Sequence, residues 1–270
     1  MNRIKSLFQK KRNDGKSAFI AYLVCGDPDI KTTYNLMNIM VESGVDIIEL
    51  GMPFTDPIAD GPTIQKGVER SLTKKTSLKD IFDVVKKFRK KNLHTPIVLM
   101  GYMNPIEKIG YEKFSLLSKN CGADGILIVD SPPEESKKIN KILKNKDLCQ
   151  IFLASPTTEK SRLKKIINST SGYLYYVSIK GITGSKINNY KTIENRINQI
   201  RIMSKNKIPI TVGFGIKDKK TAKAISKFSD GIIIGSSVVE LIEKNIHNKP
   251  IMFKNMKNYL KNIHKGMQNR

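Results

Sequence analysis

Ile47-Ile48-Glu49-Leu50-Gly51-Met52-Pro53-Phe54-Thr55-Asp56-Pro57-Ile58-Ala59-Asp60-Gly61-Pro62 joins an apolar run to a proline-stiffened loop. The run, residues 45–50, reads as a strand buried on both faces, because it is near-continuously apolar rather than alternating. It carries a carboxylate, Glu49, near its end, and the loop carries two more, Asp56 and Asp60. A helical pattern follows at 64–72. Strand, loop and helix in that order form a βα unit, and the unit recurs along the chain. Further apolar runs lie at 18–24, 96–101, 125–130, 149–154, 173–178, 208–212 and 231–235. Helical periodicity separates them at 30–43, 78–91, 111–121, 134–144, 159–168, 192–204 and 218–228, and continues at 236–243 and 252–264.

Eight such units with Ile/Val/Leu-rich strands predict a closed parallel α/β barrel, (β/α)8, rather than an open sheet. Its 270 residues fit one barrel domain spanning 1–270, with no linker or low-complexity boundary. Residues 3–11 predict an extra helix under the barrel. The spacing from strand two to strand three is nearly double the usual one, and a second long connection follows strand six through Gly181-Ile182-Thr183-Gly184-Ser185. Long loops on the C-terminal face of a barrel are where lids and binding loops are expected. Ser77-Leu78-Lys79-Asp80 predicts a capping box, and Pro250 marks a helix start.

The net charge of +24 comes from 48 Lys and Arg against 24 Asp and Glu. The cations are mostly lysines spread along the chain, and the absence of Trp and of an aromatic-rich basic stripe argues against nucleic-acid binding. No apolar run reaches 18 residues and the start of the chain lacks a signal-peptide pattern, so a cytoplasmic protein with no membrane span is expected. Cys25, Cys121 and Cys149 are widely spaced and read as small buried thiols. With only His94, His247 and His264 besides, no metal site is expected.

Glu49, at a strand's end with apolar walls, is placed to have its pKa raised and to pass protons near neutrality. Asp60 reads either as a second acid/base group or as a helix N-cap before Gly61-Pro62, and Asp56 as the same or as a turn residue. Gly213-Phe214-Gly215-Ile216 and Gly235-Ser236-Ser237 follow strands seven and eight, and Gly184 follows strand six. Glycine-rich loops in those slots, with a helix start, form the usual phosphate site of a barrel, so a phosphorylated small molecule is the expected substrate. Tyr175 can offer a hydroxyl, while Tyr22, Met100, Leu127 and Val129 would wall an apolar slot for a flat ring, or simply pack the core.

Glu49-Leu50-Gly51-x-Pro53-Phe54-Thr55-Asp56-Pro57-x-Ala59-Asp60-Gly61-Pro62-x-Ile64-Gln65 resembles the signature of the tryptophan synthase alpha subunit family. So do Met100-Gly101-Tyr102-Met103-Asn104-Pro105, Asp124-Gly125 with Asp130 and Pro132, and Gly181-Ile182-Thr183-Gly184, together with the two glycine loops above. The resemblance implies a barrel that cleaves indole-3-glycerol phosphate to indole and glyceraldehyde 3-phosphate, without its own cofactor. It also implies a PLP-dependent beta subunit as partner in an alpha2beta2 complex. By resemblance Glu49 is the proton shuttle at indole C3, Asp60 binds the indole N–H, Tyr175 supports the site and Thr183 closes over Asp60. Gly184, Gly215, Gly235 and Ser236 match the phosphate-binding positions, and Asp56, Pro57, Asn104 and Pro132 the region that meets the beta subunit. Thr55 stands where Ser is usual, and Ile179-Lys180 where Arg-Ala is usual. A Schiff-base aldolase using Lys180 on the same barrel, and a non-catalytic binding protein, are the competing readings.

Overall fold

The computed structural model describes residues 2–178, 190–213 and 215–268. In chain order the elements are α1 (Arg3–Asn13), β1 (Ala18–Val24), α2 (Ile30–Glu42), β2 (Ile47–Gly51), α3 (Pro62–Thr73), α4 (Leu78–Arg89) and β3 (Ile97–Gly101). They continue with α5 (Met103–Ile109), α6 (Tyr111–Cys121), β4 (Gly125–Ile128), α7 (Lys137–Asn145), β5 (Cys149–Ala154), α8 (Lys160–Ser169) and β6 (Leu174–Val177). The last are α9 (Tyr190–Met203), β7 (Ile210–Gly213), α10 (Lys219–Ser226), β8 (Gly231–Ile234), α11 (Ser236–Lys244) and α12 (Lys249–Gln268). All eight strands pair in parallel with their sequence neighbours, and β1 pairs with β8, so the sheet closes into the expected barrel.

The period of two sorts each strand's side chains into two apolar layers. Phe19, Leu23, Ile48, Leu50, Ile97 and Leu99 point outward and pack against the helices. Ile20, Ile47, Val98, Leu127, Ile151 and Tyr173 point inward and fill the barrel. Both layers exclude water, which is why the strands read as unbroken apolar runs. α1 closes the floor: Ile4 and Phe8 insert into the inner layer, and the two buried side chains contribute about 1.5–3 kcal/mol each. The capping box of Ser77 and Asp80 is present, and Pro250 lies in the first turn of α12.

Departures from expectation are local. Residues 103–109 form α5, which the sequence reading passed over: seven residues give little periodicity, and Pro105 looks like a breaker although a helix's first turn tolerates it. α7 begins at Lys137 rather than 134, after a turn in which Ser136 accepts and donates locally. The long connection after β6 lies outside the described residues.

Cys25, Cys121 and Cys149 are buried and unbridged, and burial raises all three thiol pKa values, to about 11 for Cys121 and about 12 for Cys149. Thiols so raised are poor nucleophiles. No helix among the described residues is long and apolar enough to cross a membrane.

Candidate active site

A cavity of about 680 Å³ opens at the C-terminal end of the barrel, within the range of small-molecule sites. Glu49 and Asp60 both line it, so the structure brings the two sequence-predicted carboxylates into one pocket.

Glu49 shares the inward face of β2 with Ile47 and Gly51, and is fully buried. Its Oε1 accepts a 2.5 Å hydrogen bond from the Tyr173 hydroxyl, while Oε2 is buried with no partner among the described residues. Burial raises the Glu49 pKa to about 7, and the Tyr173 hydrogen bond lowers it only in part. Nothing in the sequence distinguishes Tyr173 from Tyr175, the tyrosine expected at the site; only the fold brings the Tyr173 hydroxyl to Glu49. It is itself backed by Phe8 of α1, with ring centroids 5.6 Å apart, so the floor helix supports the donor that supports the carboxylate.

A carboxyl whose folded-state pKa is raised keeps its proton in the folded protein over a range where the unfolded chain has lost it. Stability from Glu49 is therefore full below pH 4.5, declines as pH rises to about 7, and stays at its low value above that. The loss by pH 8 is on the order of 3 kcal/mol. Glu49→Gln, neutral at every pH, should gain thermal stability over the natural protein between pH 5 and pH 8 by roughly 5 °C. A melting-temperature difference that does not change with pH would contradict this account.

Asp60 is held by its loop rather than by a strand. The N-cap of α3 is Gly61, with Pro62 in the first turn and no side-chain cap, so Asp60 is not spent as a cap. The Gln65 side chain donates to the Asp60 carbonyl at 2.8 Å, and the Asp60 amide donates to Pro57 at 3.0 Å. The Ala59 amide donates to the Tyr102 hydroxyl at 3.0 Å, and the Tyr102 ring packs on Phe54. In the sequence Tyr102 is one residue of the 100–105 motif with no signal of its own; in the fold it anchors the loop. Burial raises the Asp60 pKa to about 6, partly offset by the adjacent Tyr102 hydroxyl.

Tyr22, Met100, Val129, Leu153, Tyr175 and Val177 wall the cavity. Leu127 does not: it is fully buried in the inner layer, because its strand position lies one pleat below Val129. Tyr175 is buried, and its ring and hydroxyl fit because residue 213 is glycine; a Cβ there would lie 2.3 Å from the hydroxyl.

Gly215, Gly235 and Ser236 line the cavity's far side, with Ser237 and Lys217. Gly235 is the N-cap of α11 and no side chain caps that helix, so its first amides and dipole are available to an anion. Thr183, Gly184, Lys180 and Phe214 lie outside the described residues.

Asp56 and Asn104 are exposed, and Pro57 and Pro132 half-buried; Asp56 and Pro57 lie on the loop after β2, Asn104 in the first turn of α5 after β3, and Pro132 on the segment after β4. Ile58, between the two loop carboxylates, is 85% exposed. These segments are linked: the Tyr102 hydroxyl, at the N-cap of α5, holds the loop after β2, and the Met103 amide in the first turn of α5 donates to Asp130 at 2.8 Å on the segment after β4. At the opposite end of the barrel a hollow of about 410 Å³ is lined by Lys11, Arg12, Lys16, Arg201 and Lys227 with a single carboxylate, Asp230, which is paired with Arg201 at 3.1 Å. Among the described residues no three His, Cys, Asp or Glu side chains are gathered as metal ligands would be.

The family model for the tryptophan synthase alpha chain matches residues 8–268. The chain belongs to that family. The tryptophan synthase alpha chain of Nitrosomonas europaea is 47% identical over 243 residues, 90% of this chain and 88% of the relative. That of Acinetobacter baumannii is 45% identical over 240 residues, 89% of each. The crystal structure of tryptophan synthase subunit alpha from Legionella pneumophila superposes with a TM-score of 0.92 at 36% identity, covering 100% of both chains. A chain of Mycobacterium tuberculosis tryptophan synthase gives 0.87 at 26% identity, covering 99% of this chain and 100% of that one. Tryptophan synthase alpha chains are lyases of tryptophan biosynthesis whose role is the retro-aldol cleavage of indole-3-glycerol phosphate, and this chain is such an enzyme.

Proposed function

We propose that Glu49 and Asp60 carry out this cleavage as an acid/base pair, with no cofactor bound to this chain. The observation that carries the proposal is Glu49 itself: buried, lining the same cavity as Asp60, with one oxygen held by Tyr173 and the other without a hydrogen-bond partner among the described residues. The phosphate would bind the start of α11 through Gly235 and Ser236, with Gly215 beside it. The indole ring would lie between Met100, Val129 and Tyr175. Asp60 accepts the indole N–H, which pushes electron density to C3. Protonated Glu49 gives its proton to C3, and the resulting carboxylate takes the proton of the hydroxyl on the adjoining carbon. The carbon–carbon bond breaks, the aldehyde forms, and Glu49 ends protonated as it began.

Two pKa values follow for kcat/KM. Asp60 must be ionised, so activity falls as pH drops through about 6; Glu49 must start protonated, so it falls as pH rises through about 7. Indole release from indole-3-glycerol phosphate, measured from pH 5 to 9, should give a bell, and a flat profile would remove both groups from the proton steps.

We further propose that the face bearing Asp56, Pro57, Asn104 and Pro132 meets a PLP-dependent beta subunit in an alpha2beta2 complex, in the cytoplasm. Exposed Ile58 and the hydrogen bonds that tie the loop after β2, the start of α5 and the segment after β4 support this reading, since a partner on that face would press directly on the loop holding Asp60. The deciding experiment is indole release with and without a beta subunit. Stimulation by the beta subunit is expected; release unaffected by it would count against the interface, and no release in either case against the whole assignment.

A further inference from the structure

Tyr22 occupies the ground between the two halves of the site. Its stem stands beside the anion end of the cavity: a Cβ on Gly235 would lie 3.5 Å from the Tyr22 Cβ. Its hydroxyl lies at the acid/base end, where a Cβ on Gly51 would come within 2.2 Å of it. Gly51 is two residues beyond Glu49 on the same inward face of β2, and β1 and β2 are in register at Tyr22 and Glu49. Glycine at 51 therefore leaves the niche that the hydroxyl fills, directly above Glu49 on the side of the Asp60 loop. The residue is buried and lines the cavity, yet no hydrogen bond from the described residues reaches its hydroxyl. A buried hydroxyl without a protein partner, open to a cavity, is a binding element waiting for a ligand atom.

We infer that the Tyr22 hydroxyl is a substrate-contacting group that donates a hydrogen bond to a hydroxyl of the substrate's side chain. The inference rests on the function proposed above and sharpens it. A phosphate at Gly235 and a ring at Glu49 and Asp60 force the linking carbons, which carry the hydroxyls, to pass over Tyr22. Burial and the neighbouring carboxylates, Asp60 before Glu49, raise its pKa, so it stays protonated and acts as donor rather than base. Donation to the oxygen that becomes the aldehyde would stabilise charge as the hydroxyl loses its proton to Glu49. On this account Tyr22 selects a hydroxylated chain, not merely a flat ring.

The test uses the full-length protein with Glu49→Gln, which is expected to bind without cleaving, and compares Tyr22 with Tyr22→Phe in that background. Dissociation constants are measured for indole-3-glycerol phosphate and for 3-indolylpropyl phosphate, which lacks both side-chain hydroxyls. Tyr22→Phe is expected to reduce the preference for the hydroxylated ligand by about three- to tenfold while leaving the affinity for the propyl ligand unchanged. Gly51→Ala, which displaces the hydroxyl without removing it, should do the same. An unchanged preference in Tyr22→Phe, alongside indole release by the natural protein, would overturn this inference alone. No binding of either ligand and no indole release would overturn the proposed function as well.

Discussion

Glu49→Gln is expected to lower indole release by about a thousandfold or more while leaving binding of indole-3-glycerol phosphate measurable. General acid/base groups contribute about 10²- to 10⁴-fold, and in the proposed mechanism one carboxyl serves both proton steps. The amide has nearly the shape of the carboxyl and its oxygen can still accept from Tyr173, so the pocket keeps its form. What it loses is the exchangeable proton whose pKa burial sets near 7. The uncapped amides at the start of α11 and Asp60 are untouched, so binding and catalysis should separate. Single-turnover indole release and equilibrium binding of the intact substrate make the comparison, and turnover within tenfold of the natural protein would end the assignment of Glu49.

The second large effect is on stability. Asp124 is 3% exposed beneath β4 and accepts from Arg89 at 2.8 Å, Arg3 at 2.9 Å and the Ile97 amide at 2.9 Å. Arg89 is 8% exposed, and burial pushes its pKa down to about 10 in spite of Asp124. Asp124→Ala leaves a buried guanidinium without its counter-charge and an unsatisfied amide. Such losses cost about 3–5 kcal/mol, because the desolvation of the remaining charge is no longer offset. Denaturant unfolding at pH 7 measures it, and a loss below about 1 kcal/mol would show that water replaces the carboxylate. Asp124→Asn, which keeps an acceptor, should fall in between. Because Arg3 belongs to α1, the same substitution should loosen the floor helix whose Phe8 backs Tyr173, and so reach Glu49 from the far end of the barrel.

Much of this was legible beforehand because barrel strands carry their burial in their composition. The run at 18–24 coincides with β1, and the run at 149–154 with β5, since both faces of each exclude water. The helix at 103–109 was not legible: Pro105 and short length hide a first-turn position that only the chain's path after β3 makes helical. Tyr173 and Tyr175 share an inward parity on or beside β6, and nothing local ranks them. Depth does, placing Tyr173 under Glu49 and Tyr175 against the cavity. Tyr102 is the same kind of case, its role fixed by a loop 43 residues earlier in the chain.

By itself the sequence determined the barrel, the strand that carries Glu49, the loop that carries Asp60 and the glycine-rich turns around the anion end. Each of these follows from local pattern: apolar period, turn chemistry and spacing. Only the tertiary structure decided which oxygen of Glu49 is held and which is left unpaired, that Asp60 is free of capping duty, that Leu127 lies below the cavity, and that Tyr22 bridges its two ends. Those are matters of register and depth between strands far apart in sequence. Hydrogen bonding and desolvation depend on such distances, and no periodicity along one strand encodes them.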